Sequence, residues 1–367
     1  MAARKPACPH PPAMTGKPLN NPRQSPAVMV IHGPEIFDYG DAARLLMLLA
    51  PFRTLVAGVM ARTAAEESGL PVEFDGRPPS VVIRDTDRPV FLANHGKTPH
   101  SGRVFGEIVA SRLGSRGLVH IECSDARVFC WNNGDLALAK DLAARTEYVL
   151  EEAAASAQLP VHTRQIRGCI PGEPVFVNGI VIGRATADVV VLRSWRGHVE
   201  ATSGLLPKPH GMEKLLHIGS IDISTAWCKS GAIRSVAARH CSRAVRYGRI
   251  MAIDHCGHDL YAQMSPDCCG VLAIGDDTTA VCGHICSHRG IPVLGITDND
   301  ADTILPSTFT PGSVVLDTRP GRDDDIGREI AGMVPEVPVR WDDWVQEVLA
   351  RLAGRVSIAL DLREDTP

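Results

Sequence analysis

Short apolar runs that end in glycine or an acidic residue, each followed by an amphipathic segment, recur in both halves of this chain, and that alternation admits few folds. AVMVIHG (27–33), TLVAGVMA (54–61), SVVIRD (80–85), PVFLANHG (89–96) and GLVHIECSD (117–125) read as strands. DYGDAARLLMLLA, ARTAAEESGL, SGRVFGEIVASRLG and DLALAKDLAARTEYVLEEAAASA supply helices between and after them. Strands alternating with helices make βα units and a mainly parallel sheet. The rhythm returns near residue 219, where SGAIRSVAARHCSRAVRYG reads as helical and RIMAIDH as a strand. CGVLAIG (269–275), IPVLGITD and SVVLDTRP follow as buried strands, DDTTAVCGHICSHRG as a helix, and 323–334 and 341–354 as amphipathic helices.

Between the two halves, EPVFVNGIVIGRATADVVVLRSWRGHVEA (173–201) is cut into short strands, with Asn178-Gly179 the best hairpin signal. The expectation is an α/β chain with two Rossmann-like parallel-sheet domains, 27–157 and 219–367, around a small β-rich middle domain, 158–218. Residues 1–26 hold seven prolines and almost no apolar side chains, so a disordered tail is expected there.

The 367 residues are 44% hydrophobic and 22% charged, enough to bury real cores. A net charge of −4 gives no electrostatic reason to expect nucleic acid or an anionic membrane as partner. The richest apolar stretch, LLMLLA (45–50), is far short of the ~20 residues that span a bilayer. Eleven cysteines without a visible secretory segment fit a reducing, cytoplasmic setting. Nothing in the sequence sets the oligomeric state.

Ligands of open parallel sheets bind beyond the carboxyl ends of the strands, and the motifs of interest fall there. In NHGKTPHSG (94–102), Gly96, Lys97 and Thr98 resemble the end of a phosphate-binding loop, although the upstream glycine is missing and Phe91 stands in its place. The looser reading is a helix N-terminus plus one cation near an anion; the plainer one is a polar turn with Ser101 as N-cap. In AIGDDTTAVCG (273–283), Gly275 ends a strand and Asp276, Asp277, Thr278 and Thr279 open a helix. GITDNDAD (295–302) ends what should be the neighbouring strand, so Asp298, Asp300 and Asp302 are expected to converge with Asp276 or Asp277 on Mg2+. Capping and the helix dipole explain two aspartates at a helix start equally well.

Cysteines and histidines crowd between 240 and 288 without a Cys-x-x-Cys spacing. Cys282 and Cys286 share a helix face, and with Cys268 or His255 they offer an alternative site for a transition metal such as zinc or iron. Free cysteines are also common small core residues. After Gly33 there is no dinucleotide fingerprint, and Glu35 and Asp38 read more readily as capping residues. KPHGMEKL (208–215) gathers Lys208, His210, Glu213 and Lys214 at a domain junction, a favoured ligand location.

IGDDTT with GIPVLGITDND resembles the GGDGT and TIDND elements of phosphofructokinase-type kinases, with Asp276 in place of a glycine. VIHGPEIFDYG, LVAGVMARTAAEESGL, the NHGK turn, VNGIVIGRAT, KPHGMEKL and IGDDTTAV together resemble an uncharacterised family of archaeal proteins found mostly in methanogens. That resemblance spans about residues 27–320 and implies a cytoplasmic archaeal setting rather than a reaction.

The functional expectation is an enzyme, a phosphotransferase or ligase, that binds a nucleotide or other phosphorylated small molecule with Mg2+. Gly96, Lys97, Thr98, Gly275, Thr278 and Thr279 would face the ligand, and Asp276, Asp277, Asp298 and Asp300 the metal. The alternative is a non-catalytic metal- or ligand-binding protein, for cofactor assembly or sensing, that uses Cys268, Cys282, Cys286 and His255.

Overall fold

The computed structural model describes residues 25–155, 162–178, 180–195, 198–218, 221–223, 226, 228–231, 234, 236, 239, 246–298, 309–319 and 322–363. The expected tail up to residue 24, most of the helix expected over 230–248, and His240, Cys241, Asp300 and Asp302 lie outside the described residues.

The amino-terminal sheet contains β1 (Ser25–His32), β2 (Pro51–Ala57), β3 (Glu73–Asp75), β4 (Val90–Asn94), β5 (Leu118–Glu122), β6 (Arg127–Trp131) and β7 (Val149–Ala153), in the order β3-β2-β1-β4-β5-β6-β7. Its pairs are parallel except β5 with β6. The helices are α1 (Glu35–Asp38), α2 (Asp41–Leu49), α3 (Val59–Ser68), α4 (Pro79–Arg84), α5 (Pro99–Leu113) and α6 (Leu136–Thr146). β1 is buried on both faces, as a continuous apolar run requires. Met29 and Ile31 pack with Leu45 and Leu49 on one side, while Val28 and Val30 pack with Val109 and Ala110 on the other.

Two expectations fail here. SVVIRD is helical (α4): Pro79 occupies the first helical turn, and burial of Val82 and Ile83 overrides the strand preference of a β-branched run. The long helix expected to reach residue 157 stops at Thr146, because Glu147 turns left-handed (φ 59°) and feeds β7.

The middle unit is two antiparallel sheets. One has the order β13-β10-β9-β14, from β9 (Pro174–Val177), β10 (Ile180–Ala185), β13 (Leu205–Pro207) and β14 (Cys228–Ser230). The other has the order β12-β11-β8, from β8 (Thr163–Arg167), β11 (Val189–Trp195) and β12 (His198–Ser203). Val177 pairs with Ile180 across the expected hairpin, with Asn178 at φ 49°. α7 (Pro209–Ile218) lies on β10. β14 joins the middle sheet although it lies beyond residue 218, where the β-rich segment was expected to end.

The carboxy-terminal sheet has the order β19-β15-β16-β17-β18-β20. β15 (Tyr247–Asp254), β16 (Cys268–Ile274), β17 (Val293–Thr297) and β18 (Val314–Asp317) run parallel, with β19 (Val339–Arg340) and β20 (Ser357–Asp361) antiparallel at the edges. Its helices are α8 (Leu260–Gln263), α9 (Asp276–Arg289), α10 (Asp323–Ala331) and α11 (Trp341–Arg351). α9 is buried from Asp277 to Ser287, which explains a helix with no polar face. A Cβ on Gly295 would sit 2.4 Å from Thr279 Cγ2, so glycine there lets the first turn of α9 lie directly against β17. Among the described residues no helix is long and apolar enough to cross a membrane.

Candidate site at the junction of the middle and carboxy-terminal units

β16 and β17 are adjacent and parallel, so the loops after them open at one sheet edge. Gly275, left-handed at φ 100°, turns β16 into α9 and sets Asp276 and Asp277 at the helix start. Asp298 follows β17, and Asp323 begins α10. Carboxylate oxygens of Asp276, Asp298 and Asp323 lie within 4.8 Å of one another. Convergence of Asp276 with Asp298 was expected; Asp323 was read only as part of the amphipathic helix over 323–334 and was not singled out.

The opposite wall comes from α7. His210 Nε2 lies 3.0 Å from Asp298 Oδ2. Lys214 Nζ lies 3.2 Å from the same oxygen and donates to both oxygens of Asp323 at 2.9 Å. His210 and Lys214 are four residues apart, one helical turn, and so present a single face. Lys208, Gly275, Asp277, Thr278 and His255 complete the cleft. Of the chain's seven lysines, three stand at or near this site (Lys208, Lys214 and Lys229) and a fourth, Lys97, lies close to Lys229, in a protein that otherwise uses arginine.

Electrostatics follow from burial. The Asp277 carboxyl is pushed up to about 6 by burial, against the pull of Lys229 and His255. Its Oδ1 is buried and accepts no hydrogen bond among the described residues. Burial also raises Asp323, with Lys214 opposing and Asp298 adding to the rise. Burial alone would lower Lys214, but Asp323 and Asp298 outweigh it and hold the ammonium charged. Burial would likewise lower His255; its 2.5 Å contact with Asp254, together with the charges of Asp323 and Asp324, raises it instead.

The other expected residues are used differently. Thr279 is fully buried, its hydroxyl directed at Ala273 O (3.4 Å), so it packs rather than faces a ligand. Thr98, not Ser101, is the N-cap of α5, in a reciprocal capping box with Ser101. Gly96 N donates to buried Glu122 Oε1 at 2.9 Å, and Lys97 Nζ to Glu173 Oε1 (2.9 Å) and Ser230 O (3.1 Å). Those donors are matched by protein acceptors in this structure. Cys268, Cys282 and Cys286 are at most 2% exposed in the apolar core beneath α9, and burial raises each thiol. With His255 at the sheet edge, these four do not form a ligand set.

Over residues 29–336 the chain matches the family described as an uncharacterized protein conserved in archaea. It is similar to an uncharacterized protein of Methanocaldococcus jannaschii, 32% identical over 329 residues, or 82% of this chain and 89% of that protein. The chain belongs to this archaeal family. No solved structure matches it.

Proposed function

We propose that this member of the archaeal family binds a phosphorylated small molecule, a nucleotide or a simpler phosphate ester, together with Mg2+, for phosphoryl transfer or ligation. The observation that carries the reading is the convergence of Asp276, Asp298 and Asp323, of which Asp276 lines a cleft shared with Lys208, His210 and Lys214 while Asp298 and Asp323 are buried. An all-oxygen donor set suits a hard divalent cation. The start of α9 and the basic residues of the α7 wall suit the anionic oxygens of the ligand. Asp277 Oδ1, buried without a hydrogen bond, marks a place where a donor or positive charge is wanted. In this reading the two parallel sheets are Rossmann-like units, with the β-rich middle carrying the basic wall against the carboxylates.

The chemistry assigned to this chain's own residues is positioning and charge. Asp276, Asp298 and Asp323 would hold the cation, which would neutralise phosphate oxygens. Lys214 would move from carboxylate to phosphate as the site fills, and Thr278 lines the cleft beside the helix start.

Thermal unfolding with ATP, GTP and sugar phosphates, each with and without Mg2+, tests the reading. Stabilisation that requires both components and disappears in Asp298→Asn is the expected result, since a ligand at about a hundred times its Kd adds about 2.7 kcal/mol. No response to any phosphorylated compound would contradict it.

A further inference from the structure

Asp276 and Asp277 follow one another at the start of α9, and successive helical residues point about 100° apart. Asp276 joins Asp298 and Asp323 in the carboxylate set; Asp277 stands outside that set, although both line the same cleft. Asp277 is 7% exposed, and its Oδ1 is shut from solvent with no hydrogen bond among the described residues. An acid at a helix start is ordinarily hydrated, whereas a buried carboxylate oxygen without a donor opposes folding. Such an atom on a residue that lines a cleft points to a donor that arrives with a ligand.

The backbone beside it is also open. Gly275, the N-cap, has no side chain to close the helix, and the first amide with an intrahelical acceptor is that of Thr279, 2.8 Å from Gly275 O. The amides of Asp277 and Thr278 meet no acceptor among the described residues. Both residues line the cleft, so an anionic oxygen held at these amides brings the rest of its molecule beside the Asp277 carboxylate. Ile180 and Val181 of β10 give the same cleft an apolar side for a carbon chain.

The surrounding charges decide what the donor is. His210 and Lys214 are engaged with Asp298 and Asp323, and His255 with Asp254. Lys229 of β14 and His255 attract the Asp277 carboxylate without satisfying Oδ1, and the Lys229 ammonium lies over the Phe176 ring, 4.8 Å from its centroid. What Asp277 lacks is therefore a short, directional donor rather than more positive charge. A neutral hydroxyl supplies it; an ammonium would also face Lys229 and His255, and an anion would face the carboxylate itself.

We propose that Asp277 is the specificity-determining residue of the cleft and that the ligand is a polyol or sugar phosphate, one of whose hydroxyls donates to the Asp277 carboxylate while its phosphate lies against the start of α9. This rests on the reading of the cleft as a Mg2+-dependent phosphate-ester site. Rotation about χ2, a soft torsion in aspartate, turns the carboxylate toward the hydroxyl. A site built to accept a hydrogen bond rejects an analogue that lacks the donor, because its acceptor then stays buried and unpaired.

The test is calorimetric titration of the full chain, in excess Mg2+, with glycerol 3-phosphate against propyl phosphate and ribose 5-phosphate against pentyl phosphate. At least one hydroxylated ester should bind about tenfold or more tightly than its partner. That preference should nearly vanish in Asp277→Ala and shrink at least threefold in Asp277→Asn. Without ligand, Asp277→Asn, of the same shape but uncharged, should melt above wild type; a residue kept for packing or for the helix dipole would melt below it. Equal binding within both pairs overturns the inference and leaves the cation-site reading standing. An undiminished preference in Asp277→Asn, or a lower melting point for it, does the same. If no phosphate ester binds with Mg2+, the cation-site reading and this inference fall together.

Discussion

The Lys214 ammonium lies 2.9 Å from both oxygens of Asp323 and 3.2 Å from Asp298, at the centre of the carboxylates assigned to the cation. A cation from the middle unit therefore neutralises acidic groups of the carboxy-terminal unit, and a metal entering the site competes with it. Lys214→Met should cost about 3 kcal/mol without metal, because Asp323 is fully buried and loses its partner. Millimolar Mg2+ should restore more stability to the variant than it adds to wild type. Equal Mg2+ effects on the two proteins, measured by urea unfolding, would separate Lys214 from the cation site.

The amino-terminal core should be sensitive to acid through two neutral imidazoles. Burial lowers His120 to about 3, where its ring nitrogens face Asn94 and the Trp131 indole N–H. Burial lowers His32 to about 4, against its hydrogen bond with Ala57 O. Both folded values lie below the unfolded 6.5, so their stabilisation is complete above pH 6.5 and is lost as pH falls toward 4. Each contributes about 1.4 kcal/mol per pH unit in that window. Glu35 and Glu122, raised by burial, act in the opposite sense and reduce the slope. Urea unfolding at pH 7 and 5.5 should show a clear loss that shrinks in His120→Gln; unchanged stability would contradict neutral burial.

Thiol chemistry distinguishes core cysteines from ligands. Cys268, Cys282 and Cys286 should react with an aromatic disulfide reagent only on unfolding. Cys286→Ala should cost about 1–2 kcal/mol through lost packing and leave zinc and iron content unchanged. A drop in bound metal would revive the thiol site.

Lys97 ties the amino-terminal unit to the middle one through Glu173 at partly exposed positions. Lys97→Met should therefore cost no more than about 1 kcal/mol and leave Mg2+-dependent ligand stabilisation intact. Loss of ligand binding in this variant would return Lys97 to the site.

What the sequence made legible follows from the range of the interactions involved. β16, α9 and β17 were readable because continuous burial writes itself into CGVLAIG and IPVLGITD, and parallel neighbours bring Asp276 to Asp298 by geometry alone. Asp323 and Lys214 were not assigned to one site because they are 109 residues apart and meet only when α7 docks on the carboxy-terminal unit. His210 and Lys214, one turn apart in KPHGMEKL, carried a signal that their helical state makes plain. β6 and β20 were missed as strands: one is an antiparallel insertion, and the other is an edge strand whose residues are mostly exposed. The contact between Asp41, at the start of α2, and His95, just after β4, joins residues 54 apart in sequence, a relation that local patterning does not encode.

The most direct measurement of the central claim is calorimetric titration of Mn2+, as a stand-in for Mg2+, into the full chain and into Asp276→Asn and Asp298→Asn. One site per chain is expected in wild type, at least tenfold weaker in each variant, with melting behaviour otherwise preserved. Wild type with no saturable site, or variants that bind Mn2+ as wild type does, would contradict it.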